Sequence, residues 1–489
     1  MPDANMVARS RGFGRGMSGM GCDTSSTAAN LEAPHRGVAY AVDGSQRTSV
    51  QVTMLQYLDL IAEPQKRSEL FVHEPAADAD ALATVRTIIG RVKSEGDRAL
   101  KLLTKQFDAV DVSSLTELDP IEVPRAERED ALLSIGSDLR EALEFSEAQI
   151  REYHRSQLIE VGVFEREGVV VQEIVRAVER AGIYVPGGRA VYPSTVLMTT
   201  IPAQVAGVEE TVLCVPPGRD GKVPVQTLAA AAIAGVDRVF RVGGAQAIAA
   251  MAYGTESIPA VDVIVGPGNR YVALAKREVN GVVGIDSMAG PSELVVVADK
   301  DAPPAFVAAD LLAQAEHGPD GKAVVISDSA DLLAQVQKHI AGQLATAERS
   351  ADIAETLSKG GFAVLVGDLF TAMDVVNDVA PEHLELVVEE PGDLLADVRN
   401  AGAVFLGPYA PAALGDYCAG PNHVLPTGMA ARYASALQVS TFQKQIHVVS
   451  APADTLRRIG PYAQVIANEE GLAAHANSIR IRNVAEASI

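Results

Sequence analysis

Short apolar runs alternate with segments of helical periodicity along most of the chain. Apolar residues recur at helical spacing over 81–107 and again over 131–153, which predicts two long helices. Helical patterns also fill 224–234, 245–253, 269–279, 303–316 and 329–343, and the last 35 residues or so are mostly helical. Eight runs predict strands: GIYVP from Gly182, TVLCV from Thr211, VFRVG from Val239, VDVIV from Val261, ELVVVAD from Glu293, AVVIS from Ala323, AVLV from Ala363 and AVFLG from Ala403. Such alternation predicts an α/β protein with two parallel sheets, divided near residue 292.

The first 53 residues show no sustained apolar period. They are rich in Gly, Ser, Met and Arg, which is typical of a disordered tail, and a mis-assigned start before Met54 is the simplest explanation. Gly14, Gly16 and Gly19 fit the G-x-G-x-x-G spacing of dinucleotide sites. That motif works only between a strand and a helix, and neither flank is present here, so we reject this stretch as a cofactor site.

Size and charge narrow the class of protein. A chain of 489 residues predicts two or three domains. Lys plus Arg total 41 and Asp plus Glu total 63, a net charge of −22, which argues against nucleic acid and anionic membranes as partners. No apolar run approaches the roughly 20 residues that cross a bilayer, and no export signal opens the chain. Cys22, Cys214 and Cys418 form no paired spacing, which fits a reducing compartment, so we expect a cytoplasmic protein.

Histidine occurs only nine times, so its positions are informative. Four histidines lie among tail, loop or helix-surface residues and are expected to be solvated: His35, His73, His154 and His339. His447 lies in an apolar run and is expected to be a packing residue. The other four occur in polar contexts flanked by Gly or Pro: His317, His383, His423 and His475.

Three short segments combine residue types that can carry chemistry. Gln314 and His317 lie three apart near a predicted helix end, where amide oxygen and imidazole can bind a divalent metal, although a plain helix end has the same pattern. Glu382 and His383 place a carboxylate beside an imidazole at a strand entry, which suits proton transfer, and an exposed loop pair is the alternative. Asp416, in a glycine-bounded loop, can ligate a metal within reach of His423, or it is an ordinary turn residue.

Three glycine-rich turns precede predicted helices within about 85 residues. They are Pro186-Gly187-Gly188, Gly243-Gly244-Ala245-Gln246 and Gly266-Pro267-Gly268-Asn269. Backbone NH groups of such turns can approach a phosphate or a ribose closely. Each turn is unspecific alone, but together they indicate a nucleotide-sized ligand.

Nine ordered segments resemble histidinol dehydrogenase. They are GIYVPGG, YPSTVLM, GGAQAIAA, GPGN, AGPSE, AQAEHGPD, APEHL, GDYCAGPNHVLPT and EEGLAAH, and the resemblance runs from about Met54 to Arg482. It implies a fold of two incomplete Rossmann-like domains with small helical terminal segments, an aldehyde-dehydrogenase-like architecture. It also implies that L-histidinol is oxidised through the aldehyde to L-histidine with two NAD⁺, the last step of histidine synthesis.

The resemblance also assigns roles to particular residues. It implies one Zn²⁺ per subunit, held by Gln314, His317, Asp416 and His475, which border the substrate as well. Glu382 and His383 match the catalytic pair, with His383 as the base for the hydroxyl proton and Glu382 as the activator of water. Further substrate contacts match Ser292, His423 and Glu470, and the NAD site matches Tyr184, Gln246 and Asn269.

The resemblance further implies a homodimer with intertwined C-terminal segments, so that Glu470 and His475 serve the partner subunit's site. The expected division is a tail over 1–53, a small segment over 54–80, a zinc and substrate domain over 81–183 with 293–437, an NAD domain over 184–292 and an exchanged C-terminal helical segment over 438–489. Two departures from the family pattern, Ala412 before the GDY triplet and Ser287-Met288 before AGPSE, touch no named ligand.

Two rival functions remain open on the sequence. A related dehydrogenase acting on another polar alcohol, such as a sulfonated diol, would have the same scaffold. Glu470 and His423 suit a cationic imidazole-bearing substrate better, since a sulfonate would call for Arg or Lys. A zinc-binding scaffold without activity is the other rival, and the intact Glu382-His383 pair argues against it.

Overall fold

A computed structural model describes most of the chain after residue 54. The described residues are 55–71, 79–111, 121–159, 161–187, 190–287, 290–318 and 320–485. The expected tail over 1–53 and the turn at Gly188 lie outside these ranges.

Fourteen strands lie in the described ranges. They are β1 (Gln56–Asp59), β2 (Val163–Arg166), β3 (Val169–Ala177), β4 (Arg180–Tyr184), β5 (Glu210–Cys214), β6 (Arg238–Phe240), β7 (Val263–Val265), β8 (Gly284–Ile285), β9 (Glu293–Ala298), β10 (Lys322–Ser327), β11 (Gly361–Leu365), β12 (His383–Val387), β13 (Ala403–Leu406) and β14 (Gln443–Ser450).

Sixteen α-helices lie in the same ranges, with short 3₁₀ helices at Pro64–Leu70, Ala430–Arg432 and Val439–Phe442. The α-helices are α1 (Ala79–Glu95), α2 (Asp97–Phe107), α3 (Arg125–Ser134), α4 (Ser137–Arg155), α5 (Pro193–Ala206), α6 (Val225–Ala234), α7 (Gly244–Tyr253), α8 (Arg270–Val279), α9 (Pro304–Ala315), α10 (Ala330–Leu344), α11 (Ser350–Gly360), α12 (Leu369–Val379), α13 (Pro391–Leu395), α14 (Ala412–Tyr417), α15 (Ala453–Glu469) and α16 (Ala473–Ala485). None of these described helices is both long and apolar enough to cross a membrane.

The strands form two parallel sheets and one antiparallel sheet. The first parallel sheet has six strands in the order β1-β11-β10-β9-β12-β13, and the second has five in the order β6-β5-β4-β7-β8. All six residues of β9 and all five of β12 are buried, as expected for strands with helices on both faces. The predicted α/β class with two parallel sheets is confirmed.

In the third sheet, a strand from the C-terminal part of the chain pairs with strands from the region near residue 170. Strand β14 pairs antiparallel with β3, which pairs with β2, and Gln443 lies opposite Ala177. Residues 443–450 are therefore a strand, whereas the sequence predicted a helical segment from 438. The helices α15 and α16 follow and pack against each other.

The first four helices of the described chain pack against the helices that flank the five-stranded sheet. Helix α1 contacts α7 and α8, α3 contacts α6, and α4 contacts α5. Strand β4 also belongs to this sheet, so α1–α4 and β4 lie with the predicted NAD domain rather than with 293–437 as expected from the sequence. The buried faces of these helices carry Val85, Leu100 and Ile150, and apolar periodicity does not specify which sheet such a face covers.

Candidate functional site

The candidate catalytic residues lie at the amino edge of the six-stranded sheet. His383 is the first residue of β12, Ser292 directly precedes β9, and His383 lies opposite Leu294 in the register of these two strands. Helix α9 ends at Ala315, just before the loop that enters β10, so its last turn lies at the same edge of the sheet. The strand entry predicted for the Glu382-His383 pair is confirmed.

A left-handed turn leads the chain into this pair. Ala380 follows α12 with a φ of 48°, and its NH donates to the Val376 carbonyl at 2.8 Å, which closes the helix end. Non-glycine residues rarely adopt this conformation, and it costs on the order of 1 kcal/mol or more. This left-handed turn directs the Glu382 side chain toward the neighbouring strand β9.

Glu382 is held in a buried position by backbone from another strand. Its Oε2 accepts a hydrogen bond from the Glu293 NH at 2.9 Å, and the residue is 6% exposed. Burial is the largest cause that raises the pKa of Glu382, to about 7, while His383 and the Glu293 NH act in the opposite direction. A carboxyl group with a pKa near neutrality is suited to exchanging a proton with water.

The backbone of Glu293 also holds His383, through its carbonyl group. Its Nδ1 lies 3.4 Å from the Glu293 carbonyl, to which it donates, and 3.6 Å from Glu382 Oε2. Its Nε2 lies 3.3 Å from Asp416 Oδ1, but without hydrogen-bond geometry, so this buried nitrogen has no hydrogen-bond partner among the described residues. Burial lowers the pKa of His383, and Glu382 and Asp416 outweigh that effect and raise it to about 9.

Asp416 and His423 form a second part of the site. His423 Nδ1 donates to the Asp416 carbonyl at 2.9 Å, and its Nε2 lies 3.2 Å from Thr195 Oγ1. Burial opposes ionisation of Asp416, but the imidazoles of His383, His423 and His317 lower the pKa of its carboxyl. Asp416 therefore stays anionic among three imidazoles.

Gln314 and His317 lie at the end of α9. Gln314 is 4% exposed, and its Nε2 is a buried atom without a hydrogen-bond partner among the described residues. His317 lies two residues past the helix end, and its Nδ1 donates to the Gln314 carbonyl at 3.1 Å. This bond leaves His317 Nε2 as the nitrogen available to a ligand.

Glu470 and His475 are not brought to this edge of the sheet within one chain. Both are exposed, and their backbone NH groups donate to the carbonyls of Ile466 and Leu472, within the C-terminal segment. Among the described residues, no group of three or more His, Cys, Asp and Glu side chains is arranged to hold a metal. Gln314, His317 and Asp416 nevertheless supply nitrogen and oxygen donors that Zn²⁺ accepts, and Gln314 would ligate it through its amide oxygen.

The candidate cofactor residues lie at the carboxyl edge of the five-stranded sheet. Tyr184 ends β4, Gln246 lies in the first turn of α7 after β6, and Asn269 precedes α8 after β7. The Tyr184 hydroxyl accepts from the Gly244 NH at 3.1 Å, and the Asn269 side chain accepts from Tyr271 and Val272 NH groups. Ligands of open α/β sheets commonly bind at this edge.

Three residues of the site were not singled out from the sequence. Glu293 orients both catalytic side chains through its backbone, Thr195 contacts His423, and Glu385 lies behind His383 on β12. Glu293 and Thr195 lie within the AGPSE and YPSTVLM segments, which were the available signal. Backbone contacts between distant strands carry no side-chain pattern that a sequence displays.

Comparison with known proteins identifies the family. The family model described as histidinol dehydrogenase matches residues 73–483. A histidinol dehydrogenase from Synechococcus sp. is 46% identical over 432 residues, which covers 88% of this chain and 99% of the relative. One from Aquifex aeolicus is 48% identical over 399 residues, which covers 82% of this chain and 92% of the relative.

Solved structures agree with this assignment. The crystal structure of histidinol dehydrogenase from Elizabethkingia anophelis has a TM-score of 0.83 at 34% identity, with 88% of this chain and 98% of that chain covered. An acetylating aldehyde dehydrogenase from Geobacillus thermoglucosidasius gives a TM-score of 0.43 at 13% identity, with 77% of this chain and 98% of that chain covered, a similarity too low to argue from. The chain is therefore an enzyme of the histidinol dehydrogenase family.

Proposed function

We propose that this enzyme oxidises L-histidinol through L-histidinal to L-histidine with two NAD⁺, the last step of histidine synthesis. One observation carries the proposal: Glu382 and His383 share the backbone of Glu293, and His383 Nε2 lies 3.3 Å from Asp416 in a chain of this family. A proton acceptor and a water-activating carboxyl group therefore lie side by side, as two successive oxidations at one carbon require.

His383 and Glu382 divide the proton transfers in this proposal. In the first oxidation, His383 in its neutral form, whose population grows as the pH rises toward its pKa of about 9, accepts the hydroxyl proton. The carbinol carbon gives a hydride to the nicotinamide at the same time, which leaves the aldehyde. Glu382 then takes a proton from water as the water oxygen adds to the aldehyde carbon, and the aldehyde oxygen takes up a proton to complete the hydrate. The hydrate loses a second proton and a second hydride, which gives the carboxylic acid.

A zinc ion fits the donor set at the amino edge of the six-stranded sheet. Gln314, His317 and Asp416 would hold it together with His475 of a second copy of the chain. Bound there, zinc supplies a Lewis-acid centre that orients the substrate's imidazole and amine.

The remaining candidates fit contacts to substrate and cofactor. Ser292 and His423 flank the catalytic pair, and the carboxylate of Glu470 suits a cationic amino alcohol. Tyr184, Gln246 and Asn269 suit NAD⁺, with Asn269 at a helix N-terminus where backbone NH groups face an anion.

We also infer a homodimer in the cytoplasm. Exposed apolar residues on α15, including Tyr462 at 73% and Val465 at 62%, favour a covered C-terminal segment in the assembly. Cys214 and Cys418 are free thiols, which suits a reducing compartment.

The decisive experiment is turnover of purified enzyme. We expect two NADH per L-histidinol, loss of activity after prolonged treatment with a chelator, and recovery when Zn²⁺ is restored. Turnover of a sulfonated diol but not of L-histidinol would select a different substrate on the same scaffold. Bound zinc with no oxidation of any polar alcohol would contradict the enzymatic proposal.

A further inference from the structure

A pair of carboxyl groups lies behind the candidate catalytic residues. Glu385 follows His383 by two positions on β12, so the two side chains project from the same face of the sheet. Glu385 is 1% exposed. Asp310 lies on α9 one turn before Gln314, so these two side chains share a face of the helix.

Glu385 joins β12 to the short helix α14. Its Oε1 accepts a hydrogen bond from the Ala412 NH at 2.7 Å, and Ala412 is the first residue of α14. A carboxyl oxygen that accepts at this position satisfies an otherwise unpaired NH at the start of the helix. Asp416 lies one turn further along the same helix.

Asp310 brings a second carboxyl group from α9 close to Glu385. The two groups are near enough for each to shift the pKa of the other, and Glu385 Oε2 is buried without a hydrogen-bond partner among the described residues. Two carboxyl groups this close can bond to each other only when they share one proton. Burial raises the pKa of Asp310 to about 6 and that of Glu385 to about 8, which is consistent with a shared proton near neutral pH.

The three elements joined by this pair carry different residues of the site. Helix α9 carries Gln314 and leads into His317, α14 carries Asp416, and β12 carries His383. Helix α14 has only six residues, too few to be stable alone, so its placement depends on contacts such as the Glu385 hydrogen bond.

We propose that Asp310 and Glu385 are positioning residues that fix α9 and α14 against β12 and thereby set the separation between Gln314, His317 and Asp416. The inference rests on the metal-binding part of the proposed function. Neither residue touches the metal or the substrate in this proposal. They act through the elements that carry the ligands, as outer hydrogen-bond partners of metal sites commonly do.

The test compares two substitutions of Glu385 in metal-free full-length protein. Glu385→Gln keeps an oxygen for the Ala412 NH and offers an NH₂ group to Asp310, so Zn²⁺ affinity should stay close to that of the wild type. Glu385→Met keeps similar volume but removes the acceptor for the Ala412 NH and the carboxyl group that faces Asp310, and its Zn²⁺ dissociation constant should rise by about 10- to 100-fold. The dissociation constants are measured by competition with a chromophoric chelator.

Two further variants separate positioning from general destabilisation. Asp310→Leu leaves the Glu385–Ala412 bond in place, so it should weaken Zn²⁺ binding less than Glu385→Met, and it serves as the second test if Glu385→Met does not fold. Val376→Ala opens a cavity on the opposite face of the same sheet. It should lower the melting temperature without changing Zn²⁺ affinity.

Failure of the inference is distinguishable from failure of the proposed function. A wild-type protein that binds no Zn²⁺ would overturn the metal site and this inference together. Wild-type Zn²⁺ binding with equal affinity in folded Glu385→Met or Asp310→Leu would overturn the positioning role alone. The same would follow if Glu385→Gln lost as much affinity as Glu385→Met.

Discussion

Glu293 contributes its backbone rather than its side chain to the catalytic pair. Its NH donates to Glu382 and its carbonyl accepts from His383 Nδ1, so one residue's backbone fixes the orientation of both side chains. The carbonyl also fixes the tautomer in which His383 Nε2 faces the site. Apart from proline, which lacks the NH, no substitution at residue 293 removes these backbone contacts directly.

Substitution of Glu382 separates the two oxidations. Glu382→Gln should keep the first oxidation and slow the step from L-histidinal to L-histidine by about 10²- to 10⁴-fold, because the amide cannot accept a proton from water. Rapid-quench measurements of aldehyde and acid check this. The matched control is Glu389→Gln, an exposed carboxylate just after the same strand, which should have wild-type rates. Full-rate oxidation of the aldehyde by Glu382→Gln would refute the role in activating water.

The environment of His154 differs from the one predicted from the sequence. We expected a solvated side chain, but it is 0% exposed, its Nδ1 donates to the Ile150 carbonyl at 2.7 Å, and Asn422 Nδ2 lies 3.5 Å from its Nε2. His447, expected to be a packing residue, is instead exposed beside Glu173 on the antiparallel sheet. Helical periodicity places His154 on a face, but the loop over 418–424 that covers this face comes from elsewhere in the chain.

Burial of His154 predicts a stability that depends on pH. Burial lowers its pKa below 6.5, against the opposing effect of the Ile150 and Leu437 carbonyls. The unfolded chain therefore binds a proton at His154 more tightly than the folded chain does. The stabilisation that comes from burying neutral His154 is complete above about pH 6.5, and it is lost as the pH falls toward the pKa of His154 in the folded protein. A tenfold decrease in the proton affinity of the imidazole on folding corresponds to about 1.4 kcal/mol.

Urea unfolding at pH 7.5 and pH 5.5 measures this effect. The free energy of unfolding should fall more between these pH values in the wild type than in His154→Gln. Equal decreases in the two proteins would show that His154 makes no such contribution. His339→Gln, which removes an exposed histidine, should behave as the wild type.

At the scale of elements, a buried ion pair holds the turn between β7 and α8. Lys276 Nζ donates to the Gly266 carbonyl at 3.1 Å and pairs with Asp286, whose other oxygen accepts from the Gly266 NH at 2.8 Å. Gly266 has a φ of 114°, and a Cβ there would lie 2.1 Å from the Tyr184 carbonyl. The turn that leads to Asn269 is therefore fixed through both the NH and the carbonyl of one residue.

Breaking this ion pair should affect both stability and cofactor binding. Lys276→Met leaves Asp286 buried without its cation, so we expect a loss of about 3–5 kcal/mol in the free energy of unfolding. NAD⁺ affinity should fall as well, since the turn loses its fixed geometry. Urea titration and NAD⁺ titration measure the two effects.

The double variant Lys276→Met/Asp286→Asn is the control. It should recover part of the lost stability because no buried charge remains unpaired. An unchanged NAD⁺ dissociation constant in a folded Lys276→Met protein would argue against a role for this turn in the cofactor site.

At the scale of the whole molecule, shared sites predict complementation between subunits. His475→Ala and His383→Asn should each be inactive alone. If His475 serves the partner subunit, a mixed dimer of the two variants keeps one of its two sites intact. Random pairing of equal amounts makes about half of the dimers mixed, so refolding the variants together should restore about a quarter of wild-type activity. Activity assays after co-refolding, with each variant refolded alone as the control, check this prediction. No restored activity would mean that His475 acts within its own chain.

The sequence by itself determined the α/β class, the catalytic strand entry and the family. Continuous apolar runs and helical spacing are local properties, so β9 was predicted close to its observed position and the entry to β12 was predicted at Glu382-His383. Nine ordered motifs specify a family regardless of packing. Only the tertiary structure decided that α1–α4 pack against the helices flanking the five-stranded sheet, that residues 443–450 pair with β3, and that the Glu293 backbone contacts both catalytic side chains. These features depend on contacts between residues far apart in sequence. Such contacts are decided by which buried faces fit together, and a local pattern of apolar and polar residues does not encode that choice.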